Sequence, residues 1–262
     1  MALVIMAVQD TYENNRTWCT ESTLISLRTT VDWQKHRLII IDNNSCDITA
    51  SLLALDPFYE LITLPENVGQ ARALNKGLLK REPGELVVRL DNDIVVYQED
   101  WIEDMEYVLE KDPKIGVVAL KRKNAWEHPA HPDTSFRSSL EMLPHNSGDR
   151  WMVVEVAGSV LGTCQALRPE LLDKIGFFYQ MGGLWGFIDP IVCAKAHVLG
   201  YKTVFLPHVH IDYLDEDLDS TEEKGPYQAW KERQAAKNFP AFEREKQRIL
   251  GGDSMYHGPS DE

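Results

Sequence analysis

Apolar runs of strand length alternate with longer segments of helical period along most of the chain. That alternation limits the fold more than any other feature. The runs are LVIMAV (3–8), RLIIID (37–42), YELITL (59–64), ELVVRLD (85–91), IGVVALK (115–121), WMVVEVAG (151–158) and YKTVFLP (201–207). Between them, residues 17–30, 46–55, 68–81, 99–111, 169–175 and 189–199 carry helical spacing. Such a series builds βαβ units, hence an α/β fold with a mixed, mostly parallel central sheet flanked by helices. The strands are apolar nearly throughout, which fits a sheet covered on both faces.

Two segments break the pattern. Residues 122–150 mix prolines, histidines and polar side chains without periodicity, as expected of a long loop that is either functional or a plain surface excursion. From Asp212 to Glu223 the chain carries seven acids. The following PYQAWKERQAAKNFPAFEREKQRIL predicts two helical pieces broken before Pro240, and the tail GGDSMYHGPSDE is expected to fray. The sequence thus divides into a main domain, 1–213, and an acidic linker with a C-terminal helical extension, 214–262.

Charge and cysteines narrow the function classes. A net charge of −14 disfavours non-specific attraction to a phosphate backbone, although a local basic groove is compatible with it. The four cysteines, Cys19, Cys46, Cys164 and Cys193, form no CxxC clip and read as reduced thiols of a cytoplasmic protein. The apolar start MALVIMAV lacks a basic leader and a cleavage site, so it reads as a first core strand. No apolar run reaches the roughly 20 residues of a membrane span.

Ligands of open α/β sheets bind outside the carboxyl ends of the strands. That rule singles out Gln9-Asp10 after the first strand, DNNSCD (Asp42 to Asp47) after the second and DND (Asp91 to Asp93) after the fourth. Carboxylates beside apolar strands are costly to bury without partners. A hard divalent cation would compensate several at once, and a diphosphate would suit that cation as ligand.

Four motifs stand in order: IIIDNNSCDITASLL, LPENVGQARALNKGL, VRLDNDIVV and GGLWGFIDPIVCAKAHVLGYKTVFLP. Together they resemble family 2-like glycosyltransferases of the GT-A fold, over roughly residues 3–213. The resemblance implies transfer of a sugar from a nucleotide-sugar, expected to be a UDP-sugar, with Mn²⁺ or Mg²⁺ as cofactor. It makes Asp42 the nucleobase contact, although the same residue type also forms turns in DNNS. Asn67, Gly69 and Arg72 fall in the donor segment, where Gly69 permits a tight turn and Arg72 would face phosphate. Asn75 and Gly77 serve either the donor or packing. Asp91 and Asp93 match the DxD motif. Asp93 is the direct metal ligand, and Asp91, with Asn92, lies nearer the ribose or a metal-bound water.

The motifs also depart from the family. Where relatives carry an acidic pair, this chain has Ile188 and Asp189. Asp189 is the expected base of an inverting displacement. Asp before Pro190 is also a favoured helix N-cap, and the two roles can coexist. HVHID after Pro207 offers His208 and His210, with His210 preferred as metal ligand. Retention of both DxD acids argues against a catalytically impaired module that binds glycans or nucleotides. The absence of a Gly-rich loop in AVQDTYENN argues against a nucleotidyltransferase. The acceptor, whether glycan, protein, small molecule or modified nucleic acid, is not written in the sequence. Trp126, Trp151 and Trp185 either stack on a sugar or nucleobase or are buried side chains of the core, the commoner use of tryptophan.

Overall fold

A computed structural model describes residues 1–55, 58–122, 138–144, 148–214, 226–253 and 255–259. In chain order the elements are β1 (Ala2–Val8), α1 (Thr17–Thr30), β2 (Arg37–Asp42), α2 (Asp47–Ala54), β3 (Glu60–Thr63), α3 (Gln70–Leu78), β4 (Leu86–Leu90) and β5 (Ile94–Val96). Then come α4 (Trp101–Lys111), β6 (Ile115–Arg122), β7 (Ser138–Met142), β8 (Val153–Ala157), β9 (Cys164–Leu167), α5 (Pro169–Ile175), α6 (Ile188–Val198), β10 (Lys202–Tyr213) and α7 (Pro226–Leu250).

The described strands form one sheet in the order β3-β2-β1-β4-β9-β6-β10-β8-β7, with β5 paired to β10. β1, β2, β3 and β4 are mutually parallel, as are β6 and β10. β9 runs antiparallel between β4 and β6, and β8 runs antiparallel to β10. The sheet is therefore mixed, with most strands sharing one direction.

β1 shows why the sheet is covered twice. Val4, Met6 and Val8 join Leu24, Leu27, Trp101 and Met105 in one core. Leu3 and Ile5, of opposite parity, join Leu74, Leu171 and Val192 in another. Helices α1 and α4 thus contribute to one face, and α3, α5 and α6 to the other. Gly77 decides how closely α3 can lie. A Cβ there would meet Ile5 Cγ2 at 2.5 Å and Ile41 Cδ1 at 3.0 Å.

Several expectations need correction. β5, β7 and β9 were not legible as strands, and β7 lies inside the expected 122–150 loop, of which residues 123–137, including Trp126, and 145–147 fall outside the described residues. The C-terminal segment is one helix that runs through Pro240 rather than two pieces. Anchors on both sides of the proline explain this. The Asn238 amide accepts from Gly183 N at 2.5 Å and donates to Trp185 O at 2.8 Å, and Phe242 stacks on Phe187 at 4.5 Å. The tail is docked at His257 instead of frayed. Its backbone exchanges 3.0 Å hydrogen bonds with Ile175 and Phe177, and its ring stacks on Tyr179.

Candidate active site

The carboxyl ends of β1, β4 and β6 meet the start of α6 beneath α7, and a cavity of about 440 Å³ lies between them. Its polar wall carries Gln9, Arg16, Gln70, Arg89, Asp91, Asp93, Arg122 and Asp189, and its roof carries Trp185, Tyr213, Tyr227, Trp230 and Lys231.

Three carboxylates share this space, and arginines compensate them. Asp93 is ion-paired with Arg16, which is almost wholly buried and lies 4.8 Å from the centre of the Tyr227 ring. Asp189 is ion-paired with Arg89, and its other oxygen accepts the Gly162 N–H at 2.8 Å. Asp91 stands 3.6 Å from Arg89 Nη2 and accepts from Gln70 Nε2 at 3.3 Å. Burial pushes the Asp91 carboxyl up from its ordinary value of 3.8 to about 7; Arg89 opposes the shift and the Asp93 and Asp189 charges add to it. Arg122 donates to Thr163 Oγ1 at 3.0 Å and stacks on Tyr213 at 3.6 Å. Carboxylates at the end of β4 are thus tolerated because guanidinium groups reach them from the loop before α1 and from β4 itself.

Gly162 is a condition of this geometry. A Cβ there would collide with Asp189 Oδ1 and Arg89 Nη1, so only glycine lets Asp189 seat on Arg89. Asp189 is not an N-cap. Helix α6 begins at Ile188 behind Phe187, which holds a left-handed φ of 65°, and no side chain caps it. The carboxylate turns to Arg89 and Gly162 instead, which leaves it facing the cavity.

The remaining expected residues divide. Asn67 lines the cavity, and its Oδ1 accepts from Asn43 Nδ2 at 3.0 Å and from Gly69 N at 2.9 Å. Gly69 has φ +92°, the left-handed backbone that glycine permits, and precedes α3. Asn92 lines the cavity, but its amide donates to Asp10 Oδ1 at 3.1 Å and Thr20 Oγ1 at 2.7 Å, tying the end of β4 to α1. Asp42 is buried and accepts the Ser45 N–H at 2.8 Å; it closes its own turn, and its neighbour Asn43 lines the cavity. Arg72 is exposed and outside the lining, because the period of α3 turns it away from the face that carries Ala71 and Leu74 into the core. Asn75 is structural: its side chain bonds both the N–H and the C=O of Phe178 at 2.9 Å.

The histidines do not join the carboxylates. His208 Nε2 lies 2.8 Å from Asp104 on α4. His210 is exposed and shares His208's strand parity, whereas Tyr213, of the other parity, faces the cavity. Among the described residues no three His, Cys, Asp or Glu side chains converge as a metal cage. Asp91 and Asp93 still fit a cation of the kind that takes one or two carboxylates and completes its shell from phosphate and water. His210 does not belong to that set.

A family model described as glycosyl transferase family 2 matches residues 17–176, which include β4 and β6 of the cavity wall but not β1, α6 or α7. The chain belongs to glycosyl transferase family 2. No curated protein matches it in sequence. Solved structures match its fold. The mannosyltransferase PcManGT from Pyrobaculum calidifontis, in complex with GDP-Man and Mn²⁺, aligns over 96% of this chain and 74% of its own at TM-score 0.60 and 18% identity. S. aureus TarS 1-349, in complex with UDP-GlcNAc, aligns over 96% of this chain and 71% of its own at TM-score 0.58 and 18% identity. GalNAc-T7 with UDP, GalNAc and Mn²⁺ aligns over 97% of this chain and 58% of its own at TM-score 0.56 and 12% identity. The fold is GT-A, and the protein is a glycosyltransferase. No helix among the described residues is long and apolar enough to cross a membrane.

For this family 2 glycosyltransferase, the sequence motifs located Asp91, Asp93 and Asp189 but missed the groups that compensate them. Arg89 was legible in principle, since it stands two residues before Asp91 on the same face of β4. Arg16 and Gln70 carry no spacing signal, and the contribution of α7 depends on long-range packing.

Proposed function

We propose that this protein transfers a sugar from a UDP-sugar to an acceptor hydroxyl with inversion, using Asp189 as base and a divalent cation at Asp91 and Asp93. The observation that carries the reading is the shared cavity, in which Asp189 stands with Asp91, Asp93, Arg16 and Arg122 at the strand ends.

Each group has a task that its contacts support. Arg89 and the Gly162 amide orient the two oxygens of Asp189, which takes the acceptor proton as the sugar's anomeric carbon is attacked. Arg16 and Arg122 would face the diphosphate, where guanidinium suits phosphate oxygens. A bound cation would neutralise the leaving diphosphate. The UDP component leans on TarS and GalNAc-T7, which are bound to UDP-GlcNAc and UDP.

The reading is tested by calorimetry with UDP, GDP and ADP, each with Mn²⁺ and with EDTA. UDP should bind tightest and need the cation. Equal affinity in EDTA would remove the metal from the proposal, and tighter GDP binding would remove uridine. Asp189→Asn should lower turnover roughly 10²–10⁴-fold while UDP affinity stays within a few-fold. The carboxylate also neutralises Arg89, so some loss of melting temperature is expected, and turnover is to be compared well below it. Full activity in that variant would move the base elsewhere.

A further inference from the structure

The C-terminal helix brings aromatic rings to a part of the cavity that the motifs do not reach. A recess of about 190 Å³ is lined by Gln9, Thr11, Asn14, Asn67, Tyr227 and Trp230, among others. Gln9, Asn67, Tyr227 and Trp230 line the main cavity as well, so the two volumes adjoin. Tyr227 and Trp230 sit three residues apart on α7, with rings nearly parallel at 10° and centroids 5.8 Å apart. Arg16 lies 4.8 Å and Lys231 Nζ 4.6 Å from the Tyr227 ring centre. Cations therefore brace Tyr227, and the half-buried indole of Trp230 stands beside it.

Strand order says which end of a donor this recess would meet. Asp189 and Arg89 mark the end where the anomeric carbon must lie. Asp91 and Asp93, at the end of β4, sit where the diphosphate must pass. Gln9 follows β1, and Asn67 follows β3 at the far edge of the order β3-β2-β1-β4. A nucleoside–diphosphate–sugar laid with its sugar at Asp189 therefore projects its nucleoside toward β1 and β3, into the recess.

We infer that Trp230, supported by Tyr227, is the stacking platform for the donor nucleobase, so that α7 forms one wall of the nucleoside subsite. The inference rests on the nucleotide-sugar reading above. Gln9, Asn14 and Asn67, together with Glu13 and Arg233, supply the polar part of the recess lining. Stacking on an aromatic face contributes affinity with little preference among bases, because every base has a π-face. Selection would then fall chiefly to the Gln9 amide and the Asn67 Nδ2, because the Asn14 amide is engaged by Thr11 N and Gln9 O and Asn67 Oδ1 by Asn43 and Gly69.

The test is calorimetry with UDP and, separately, pyrophosphate on native protein, Trp230→Ala and Trp230→Phe, each shown to be folded by its melting transition. The expected result is UDP binding weakened roughly 5–150-fold in Trp230→Ala, with most of it restored in Trp230→Phe. Pyrophosphate affinity should be unchanged, since the phosphates lie away from the indole. Native UDP affinity in Trp230→Ala would overturn the inference while leaving the donor reading in place. An equal loss for UDP and pyrophosphate would overturn it too, by showing a general disturbance of the cavity. If the native protein bound pyrophosphate but no nucleotide, the donor reading itself would fail and the inference with it.

Discussion

A single missing side chain governs where the Asp189 carboxylate sits. Asp189 reaches Arg89 only because residue 162 has no Cβ. Gly162→Ala should therefore push the carboxylate off its partner. Turnover should fall by roughly the factor assigned to the base itself, about 10²–10⁴. UDP affinity should fall far less than turnover, since Asp93 and Arg16 are untouched and Asp91 feels the change only through Arg89. Near-native turnover in Gly162→Ala would show that the Arg89–Asp189 seat is not needed for chemistry. The reasoning differs from that for Gly77, where a Cβ would press on Ile5 and Ile41 and cost stability rather than rate.

The pairing of α6 with α7 sets up two predictions at the scale of elements. Lys195 on α6 is 1% exposed, near Glu245 and Arg248 of α7. Burial pulls its ammonium down from 10.5 to about 7; Glu245 opposes the shift and Arg248 adds to it. The folded protein thus binds fewer protons than the unfolded chain between about pH 7 and the ordinary lysine value, so this group's contribution to stability rises with pH across that window. Its cost is complete below about pH 7 and fades toward pH 10.5. Lys195→Met should raise the melting temperature most near neutral pH and progressively less on the alkaline side. A gain independent of pH would show that the lysine is not depressed. Pro240 gives the second prediction. A proline inside a helix removes a hydrogen bond and costs about 3 kcal/mol, a cost that the Asn238 and Phe242 anchors offset here. Pro240→Ala should stabilise the protein by about 1–3 kcal/mol in denaturant unfolding, and a loss of stability would mean that α7 requires the bend a proline imposes.

At the scale of the whole molecule, α7 belongs to both the core and the site. Phe242 and Ile249 are buried with Met181 and Ile191, while Tyr227, Trp230 and Lys231 roof the cavity. A chain ended at Tyr213 loses both contributions. Exposing two large apolar side chains costs about 3 kcal/mol or more, which for a protein of this size lowers the melting temperature by roughly 6–12 °C. The shortened chain should also bind UDP weakly. A truncated protein with native stability and UDP affinity would make residues 214–262 a separable extension, as the sequence division at 213 suggests.

The alternation of apolar runs and helical segments was sufficient by itself to determine the layered α/β fold, because β1 and its neighbours are apolar on both faces and can only be buried between helices. The rule that ligands gather at the carboxyl ends of strands singled out Asp91 and Asp93, while Asp189 was singled out only by the resemblance to the family's acid position. Tertiary structure alone decided what those carboxylates touch. Arg16 reaches Asp93 across 77 residues and Arg89 reaches Asp189 across 100, distances over which spacing carries no signal. It also left His210, Arg72 and Asp42 outside the lining of the cavity: His210 and Arg72 are exposed, and Asp42 accepts the Ser45 N–H within its own turn. The short strand β9, four residues long, was invisible in sequence because its pairing with β4 and β6, rather than its own pattern, makes it a strand. The roof of the cavity was invisible for the same reason: α7 is apolar only at scattered points, and their meaning appears once α6 and the loop before it lie underneath.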